Sequence, residues 1–240
     1  MIDIHCHLLP GLDDGPRDLL TALALTRACA QDGVAHVVMT PHIYPGVFDN
    51  TLSEIRLASA SFARQVHEEG LALQLSHAAE VRVGPEIMSL YEQGMLPLLS
   101  EREGFRHLLL EMPDGQIPLG MDKLCHWLLL RHITPVIAHP ERNKAVMAQP
   151  HRMADFTAMG CKLQLTAGAL LGDFGRQAQA TAECLLDTVE VHAIASDAHG
   201  LQRRAPRMGA ARDHLTRTRG VAIADRLTHT GPASMCGLQP

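Results

Sequence analysis

Met1-Ile2-Asp3-Ile4-His5-Cys6-His7 opens the chain and reads as a short apolar strand that ends in a His-x-His pair. Residues two apart on a strand point to the same face. His5 and His7 therefore present two imidazoles side by side, a grip suited to one divalent metal. Taken alone the pair says little. What gives it weight is that metal-ligand residue types recur at the ends of almost all the later strand-like runs.

Working outward, Leu8 to Pro16 is a loop rich in turn formers. Asp14 is placed to cap the next helix, with Pro16 in its first turn and the helix running to about Gln31. Val34–Met39 reads as a strand closed by Thr40-Pro41-His42. Thr51-Leu52-Ser53-Glu54 is a capping box that opens a helix ending near Gly70. Leu71–Val83 is a third strand region, with Ala79-Glu80 inside it, and Pro85–Gln93 a short helix. Strands follow over Arg106–Leu110, ending in Glu111-Met112-Pro113, and over Ile133–Ala138, ending in His139-Pro140-Glu141-Arg142. Cys161–Thr166 and Val191–Ala195 complete the set, the last ending in Ser196-Asp197-Ala198-His199. Helices are predicted over Met121–His132, His151–Met159, Asp173–Asp187 and from near Pro206. The tail from Gly231 is punctuated by Gly and Pro and is expected to be irregular.

Strand and helix thus alternate about seven times, which predicts parallel strands with helices packed outside. The strands are near-continuous apolar runs, as expected when both faces are covered. An open doubly wound sheet and a closed barrel both fit this alternation. The position of the polar residues favours the barrel, because a barrel gathers all its C-terminal strand ends around one mouth. An open sheet would spread them along an edge. No repeat, low-complexity stretch or linker interrupts the 240 residues, so the expectation is one domain over 1–240.

Hydrophobic residues make up 46% of the chain, enough for a sizeable core, but aromatics only 3%, so that core is aliphatic. A formal net charge of −5 argues against a nucleic-acid-binding surface. It leaves room for an anionic substrate, since a bound metal overrides the global charge locally. The six cysteines show no CxxC spacing and read as reduced thiols of a cytoplasmic protein. No signal-peptide pattern and no membrane-length apolar run is present.

Collected, the strand-end residues are His5, His7, His42, Glu80, Glu111, His139, Asp197 and His199, with Asp14 from the first loop. Burying so many polar groups at one barrel end leaves charge uncompensated unless they pair or bind metal. Imidazole with carboxylate and no thiolate favours Mn, Fe or Zn over Ca or Mg. The set exceeds one tetrahedral ion and suits two or three with a bridging carboxylate. Such clusters generate a hydroxide nucleophile near neutral pH and clamp attacking and leaving oxygens, which suits phosphate-ester hydrolysis. Arg142 lies in the His139 loop, where a guanidinium can hold phosphate oxygens bidentately. Arg203, Arg204 and Arg207 offer a second anion grip after His199.

These stretches resemble the polymerase-and-histidinol-phosphatase (PHP) superfamily and, within it, the manganese-dependent protein tyrosine phosphatases of the CpsB/CapC type. The match rests on Ile2 to Pro16, Thr40-Pro41-His42, Ala79-Glu80, Leu109 to Pro113, Ala138 to Arg142, Gln164 to Gly172 and Ser196 to His199. The resemblance implies a distorted (β/α)7 TIM-like barrel and a three-ion site at the C-terminal strand ends. His5, His7, Glu80 and Asp197 would hold one ion, and Asp14, His42 and His199 a second. A bridging Glu80 would join Glu111 and His139 on a third. Mn2+ is the implied metal, with Fe or Zn as alternatives. Arg142 matches the family's phosphate-binding arginine and Arg204 sits in a matching Arg-x-Pro-x-Met pattern. Arg82, Met112 and Gly200 depart from the residues expected beside the ligands.

The implied activity is hydrolysis of phosphotyrosine on proteins by a metal-bridged hydroxide, with His42 or His199 as candidate proton donors to the leaving phenolate. The implied partner is the tyrosine-rich tail of a bacterial tyrosine autokinase, in the control of capsule and exopolysaccharide export. Two other functions fit the same site. One is a small-molecule phosphomonoesterase of the histidinol-phosphate kind, or a phosphodiesterase. The other is a non-catalytic metal-binding regulatory barrel.

Overall fold

The computed structural model describes residues 1–100 and 102–238. Among them the strands are β1 (Ile2–Cys6), β2 (His36–Met39), β3 (His42–Ile43), β4 (Gln74–His77), β5 (Glu80–Arg82), β6 (His107–Glu111), β7 (Thr134–Ala138), β8 (Lys162–Thr166) and β9 (Ala193–Ala195). The α-helices are α1 (Leu19–Gln31), α2 (Leu52–Glu68), α3 (Glu86–Glu92), α4 (Met121–Leu129), α5 (Lys144–Ala148), α6 (Met153–Met159), α7 (Ala167–Leu170), α8 (Arg176–Thr188), α9 (Met208–Arg219), α10 (Val221–Asp225) and α11 (Gly231–Cys236).

All strand pairings are parallel. They form a three-stranded sheet, β1-β2-β4, and a six-stranded one, β3-β5-β6-β7-β8-β9. The two expected strands Val34–Met39 and Leu71–Val83 each continue past a two-residue break, at Thr40-Pro41 and at Ala78-Ala79. Each upper piece then joins the larger sheet. Across the breaks the chains stay bonded, by Ala78 N to Met39 O at 2.9 Å and Glu80 N to Pro41 O at 3.2 Å. The far edge returns to β1 just beyond β9. Asp197 N donates to His5 O at 2.8 Å and His7 N to Ala198 O at 2.9 Å. The ring is therefore stitched at its C-terminal rim without one continuous ladder.

The strands are buried apart from β4 and the end residues Arg82, Thr134 and Lys162, which are partly exposed; Gln74 is exposed because β4 is the edge of the smaller sheet. One apolar cluster runs between strands and helices. A second comprises Ile2, Ile4, Val38, Leu109, Val136, Ala138, Ala193 and Ala195 from the strands, with Ala78 from the break after β4. On β6 and β9 the same alternating face continues to Glu111 and then to Asp197, so the apolar stripe ends in the carboxylates.

Local signals set most boundaries. Thr51 accepts from Glu54 N at 3.3 Å while Glu54 Oε2 accepts from Thr51 N at 2.9 Å, a complete capping box on α2. Gly160, at φ 110°, ends α6 in a conformation that side-chain-bearing residues avoid. Two expectations are corrected. Asp18, not Asp14, caps α1, accepting from Thr21 N at 2.8 Å, because the loop up to Gly15 is held in a turn by Asp13. The tail from Gly231 is helical rather than irregular. Pro232 stands at the start of α11, where the chain leaves the π-helical turn of residues Arg226–Thr230. Ala233, Met235 and Cys236 are buried in the second apolar cluster. No helix of the described residues is long and apolar enough to cross a membrane.

Candidate metal centre

The residues singled out above come from seven different places in the chain. His5 is on β1 and His7 just past it, His42 opens β3, Glu80 opens β5 and Glu111 closes β6. His139 follows β7, Asp197 and His199 follow β9, and Asp14 lies in the loop before α1. His5, His7, Glu80 and Asp197 are fully buried. His139, Asp197 and Arg204 have φ of 35°, 51° and 55°. Left-handed backbone at such residues costs on the order of 1 kcal/mol or more each. Here that strain is concentrated at one rim.

His5 Nε2 is 3.2 Å from His7 Nε2, from Glu80 Oε2 and from Asp197 Oδ1. His7 Nε2 is 3.5 Å from Glu80 Oε2 and 3.3 Å from Asp197 Oδ1. Five of the six separations among these four atoms are thus 3.2–3.5 Å, and all lie within 4.8 Å; a regular tetrahedron with edges of about 3.3 Å has its centre about 2.0 Å from each corner, the bond length of a divalent ion to imidazole or carboxylate. Glu80 Oε2 and Asp197 Oδ1 make no hydrogen bond although they are buried. Unpaired buried anionic oxygens are costly, and a cation at the centre would answer both. The donor set therefore fits a metal.

Two further groups adjoin it. His7, Asp14, His42 and His199 each offer a ligand atom within 4.8 Å of the others, as do His42, Glu80 and Glu111. His199 Nε2 and His42 Nε2 stand 3.0 and 3.4 Å from Asp14 Oδ1. For the third set the resemblance implies Glu80, Glu111 and His139, and here both His139 and His42 stand beside Glu80. His139 Nε2 bonds Glu80 Oε1 at 2.6 Å, and Glu111 pairs with Arg82 at 2.9 Å. Arg142 and Arg204 both donate to Asp197 Oδ2, Arg204 at 2.5 Å. The carboxylate thus offers one oxygen to the histidines and the other to two guanidiniums. Arg203 and Arg204 line, with Asp14 and His199, a cavity of about 510 Å3 that opens onto the cluster. Arg207 instead lies 3.8 Å from Asp173.

Two orienting residues escaped the sequence reading. Asp13 Oδ2 accepts from His7 Nδ1 at 2.6 Å, and Gln164 Oε1 from His5 Nδ1 at 2.8 Å. Each fixes the tautomer that leaves Nε2 free toward the centre. A carboxylate six residues after a His-x-His pair, inside a turn-rich loop, was the available signal for Asp13.

Burial works against every charge here, and the neighbours decide the outcome. It opposes the protonation of His42, yet Asp14 and Glu80 hold that imidazole up at about 9. Burial wins at His199, with His7 adding to it, and at His139, with Arg142 adding to it. Both are pushed down to about 4. Asp197 is held well below the carboxylate range because Arg142, His5 and Arg204 outweigh its burial. His5, His139 and His42 do the same for Glu80. Burial lifts Glu141, beside Arg142, to about 7.

Comparison with known proteins bears on what this cluster serves. A family model described as "Capsular polysaccharide synthesis, CpsB/CapC" matches residues 1–236. The chain is 32% identical over 204 residues to the tyrosine-protein phosphatase YwqE of Bacillus subtilis, covering 85% of this chain and 79% of the relative. Among solved structures it is similar to a chain from the crystal structures of YwqE from Bacillus subtilis and CpsB from Streptococcus pneumoniae, described as unique metal-dependent tyrosine phosphatases. That match has a TM-score of 0.92 and 29% identity, and covers 100% of this chain and 96% of the other. An organophosphorus hydrolase from Deinococcus radiodurans shares the fold alone, at a TM-score of 0.60 and 16% identity over 98% of this chain and 92% of that one.

Proposed function

The chain belongs to the CpsB/CapC capsular polysaccharide synthesis family, and from that premise we propose that it is a metal-dependent protein tyrosine phosphatase acting in capsule and exopolysaccharide synthesis. The observation that carries the reading is the buried cluster of His5, His7, Glu80 and Asp197 donors with its two unbonded carboxylate oxygens. His5, His7, Glu80 and Asp197 would hold one ion, and His7 or Asp14, His42 and His199 a second. Glu80 and Glu111, with His42 or His139, would hold a third. Imidazole and carboxylate donors suit Mn2+, with Fe or Zn as alternatives. Such ions supply Lewis acidity, making water nucleophilic near neutral pH and taking up charge on phosphoryl oxygens.

The protein's own groups do the rest. Arg142 and Arg204, tied to Asp197, keep further N–H donors for the non-bridging phosphate oxygens. Asp13 and Gln164 keep His7 and His5 in the tautomer that binds. A tyrosine phenol has an ordinary pKa of about 10, so its departure needs little help from a proton donor. His42 and His199, turned toward Asp14, serve better as ligands than as acids. The substrate we propose is a phosphotyrosine-bearing protein, the tail of a tyrosine autokinase, met in the cytoplasm.

The test is metal analysis of the purified protein, then removal of metal by a chelator and reconstitution with Mn, Fe, Zn and Mg in turn. Hydrolysis of a phosphotyrosine peptide should vanish and return. Full activity after complete stripping would overturn the reading.

A further inference from the structure

Resting on that reading, we propose that the turn from Tyr44 to Asn50 is the element that selects an aryl phosphate, with Phe48 and Tyr44 forming the wall against which the substrate's ring lies. The chain contains only 5 Phe, 2 Tyr and 1 Trp, yet three of these eight rings stand on side chains in or beside the metal centre: Phe174 lies under the Arg142 guanidinium, 4.8 Å from its ring centroid, and the other two come from this one turn. Phe48 stacks on His42 with centroids 5.4 Å apart and planes 9° from parallel. Tyr44 lies under the Arg82 guanidinium, 4.5 Å from its ring centroid, and Arg82 in turn pairs with Glu111 at 2.9 Å.

The turn is built to hold them there. Tyr44 and Phe48 exchange backbone bonds, Tyr44 N to Phe48 O at 2.9 Å and Phe48 N to Tyr44 O at 2.8 Å. Gly46, at φ 79°, makes the reversal, and Gly46 N donates to Asp49 Oδ1 at 2.7 Å. Asn50 Nδ2 donates to both Leu12 O and His42 O at 2.8 Å, tying the turn to the ligand loop and to β3. Both rings remain half-buried while Pro45, Gly46 and Val47 stand in solvent. A rigid, hydrogen-bonded turn that keeps two apolar rings partly exposed beside a buried ionic centre has no evident purpose in the core.

The depth of the centre explains why a ring would be selected. Its innermost donors are fully buried, and His42 and His199 are under a tenth exposed. Asp14 alone of the ligand set is exposed, so a phosphate carried by a peptide reaches the inner donors past it on the length of its side chain. A phosphotyrosine places a flat apolar ring between phosphate and peptide, at the level of Phe48. Stacked aromatic pairs favour such a ring beyond the area they bury. A phosphoserine or an alkyl phosphate offers nothing at that level.

The experiment compares kcat and KM on a phosphotyrosine peptide and on the same peptide carrying phosphoserine, for the metal-loaded wild type, Phe48→Ala, Phe48→Leu and Tyr44→Leu, with metal content measured for each. Phe48→Leu keeps an apolar contact on His42 and so guards against loss of the ligand's support. The expected result is a fall of about tenfold in the aryl-to-alkyl ratio of kcat/KM for each substitution, carried mainly by KM, with metal content retained in Phe48→Leu and Tyr44→Leu. An unchanged ratio in those two variants, or a loss that falls equally on both peptides, overturns the assignment. If the wild type itself shows no metal-dependent hydrolysis of the phosphotyrosine peptide, it is the phosphatase reading that fails.

Discussion

Asp13→Asn isolates the contribution of a residue that would never touch a metal. Asp13 Oδ1 accepts from Gly15 N at 2.9 Å, and Oδ2 accepts from both His7 Nδ1, at 2.6 Å, and His42 N, at 3.1 Å. All three partners are donors, which a carboxylate satisfies and an amide cannot. If the new NH2 faces His7, Nδ1 must turn acceptor and its proton moves to Nε2. That is the atom 3.3 Å from Asp197 Oδ1 and 3.5 Å from Glu80 Oε2, so the lone pair meant for the ion is blocked. If the amide flips, the NH2 opposes Gly15 N–H and only a neutral oxygen is left to hold His7. Loss of such a partner costs 10- to 100-fold in metal affinity, or about 1.4–2.7 kcal/mol. Competition of the stripped protein against a fluorescent chelator for Mn2+ measures it. A thermal melt without metal should show that the variant still folds. Wild-type affinity, within about threefold, in a folded Asp13→Asn protein would refute the tautomer argument.

Other substitutions test separate links. His107, buried at the start of β6 and facing Lys162 and His192, is pushed down to about 4 by burial and by those cations. Its unfolded value is near 6.5, so the unfolded chain binds the extra proton. Stability should be fully present above pH 6.5 and decline as pH falls toward 4, by about 3 kcal/mol at most. In His107→Gln, urea unfolding across that range should show a flatter slope than the wild type. Thr51→Ala removes the α2 cap and should cost about 1 kcal/mol, a fall of about 2–4 °C in Tm. Arg204→Ala should raise KM for a phosphotyrosine peptide about tenfold, the scale of one charge-assisted hydrogen bond, with bound metal unchanged by elemental analysis.

How far the sequence carried the reading follows from where each signal resides. Strand runs such as His107–Glu111 and Thr134–Ala138 are apolar along their length, and a period or a run is visible without neighbours. The capping box at Thr51 and the stop at Gly160 are equally local. What stayed hidden depends on contacts between distant residues. Asp13 reads as one more turn former until His42, 29 positions later, brings its backbone N–H to the same carboxylate. Asp14 looked the better cap because the competing demand on its loop cannot be seen in the loop. The Gly-Pro pair at 231–232 is punctuation on any propensity scale. Its helix exists because Ala233, Met235 and Cys236 are buried against strand residues some 200 positions upstream, and tertiary burial overrides propensity. The short helices α5 and α7 are too brief to leave a periodic trace.

The breaks at Thr40-Pro41 and Ala78-Ala79 give the metal centre a structural consequence beyond chemistry. Each break spans two residues, so the alternation of faces is kept. Val38 and Ala78 are in the apolar cluster, and His42 and Glu80 continue their face into the site. The hydrogen-bond ladder is not kept, since Pro41 has no N–H to give. The smaller sheet therefore ends where the larger begins. The chain itself runs from one to the other at the two breaks, and on the far side the sheets are joined by Asp197 N to His5 O and His7 N to Ala198 O. His5 lies on the smaller sheet and His7 just beyond it, while His42, Glu80 and Glu111 belong to the larger. An ion held by both sets would clamp one sheet to the other. Metal that binds only the folded protein adds about 2.7 kcal/mol of stability at 100 times its Kd. If the clamp is real, that gain is uneven. Hydrogen exchange at the amides of Thr40, Ala78 and Glu80 should slow on Mn2+ addition far more than exchange at the β6–β7 pairing, which lies wholly within one sheet. Uniform slowing of both regions would mean that the ion stabilises the fold as a whole and that the breaks are not its hinge.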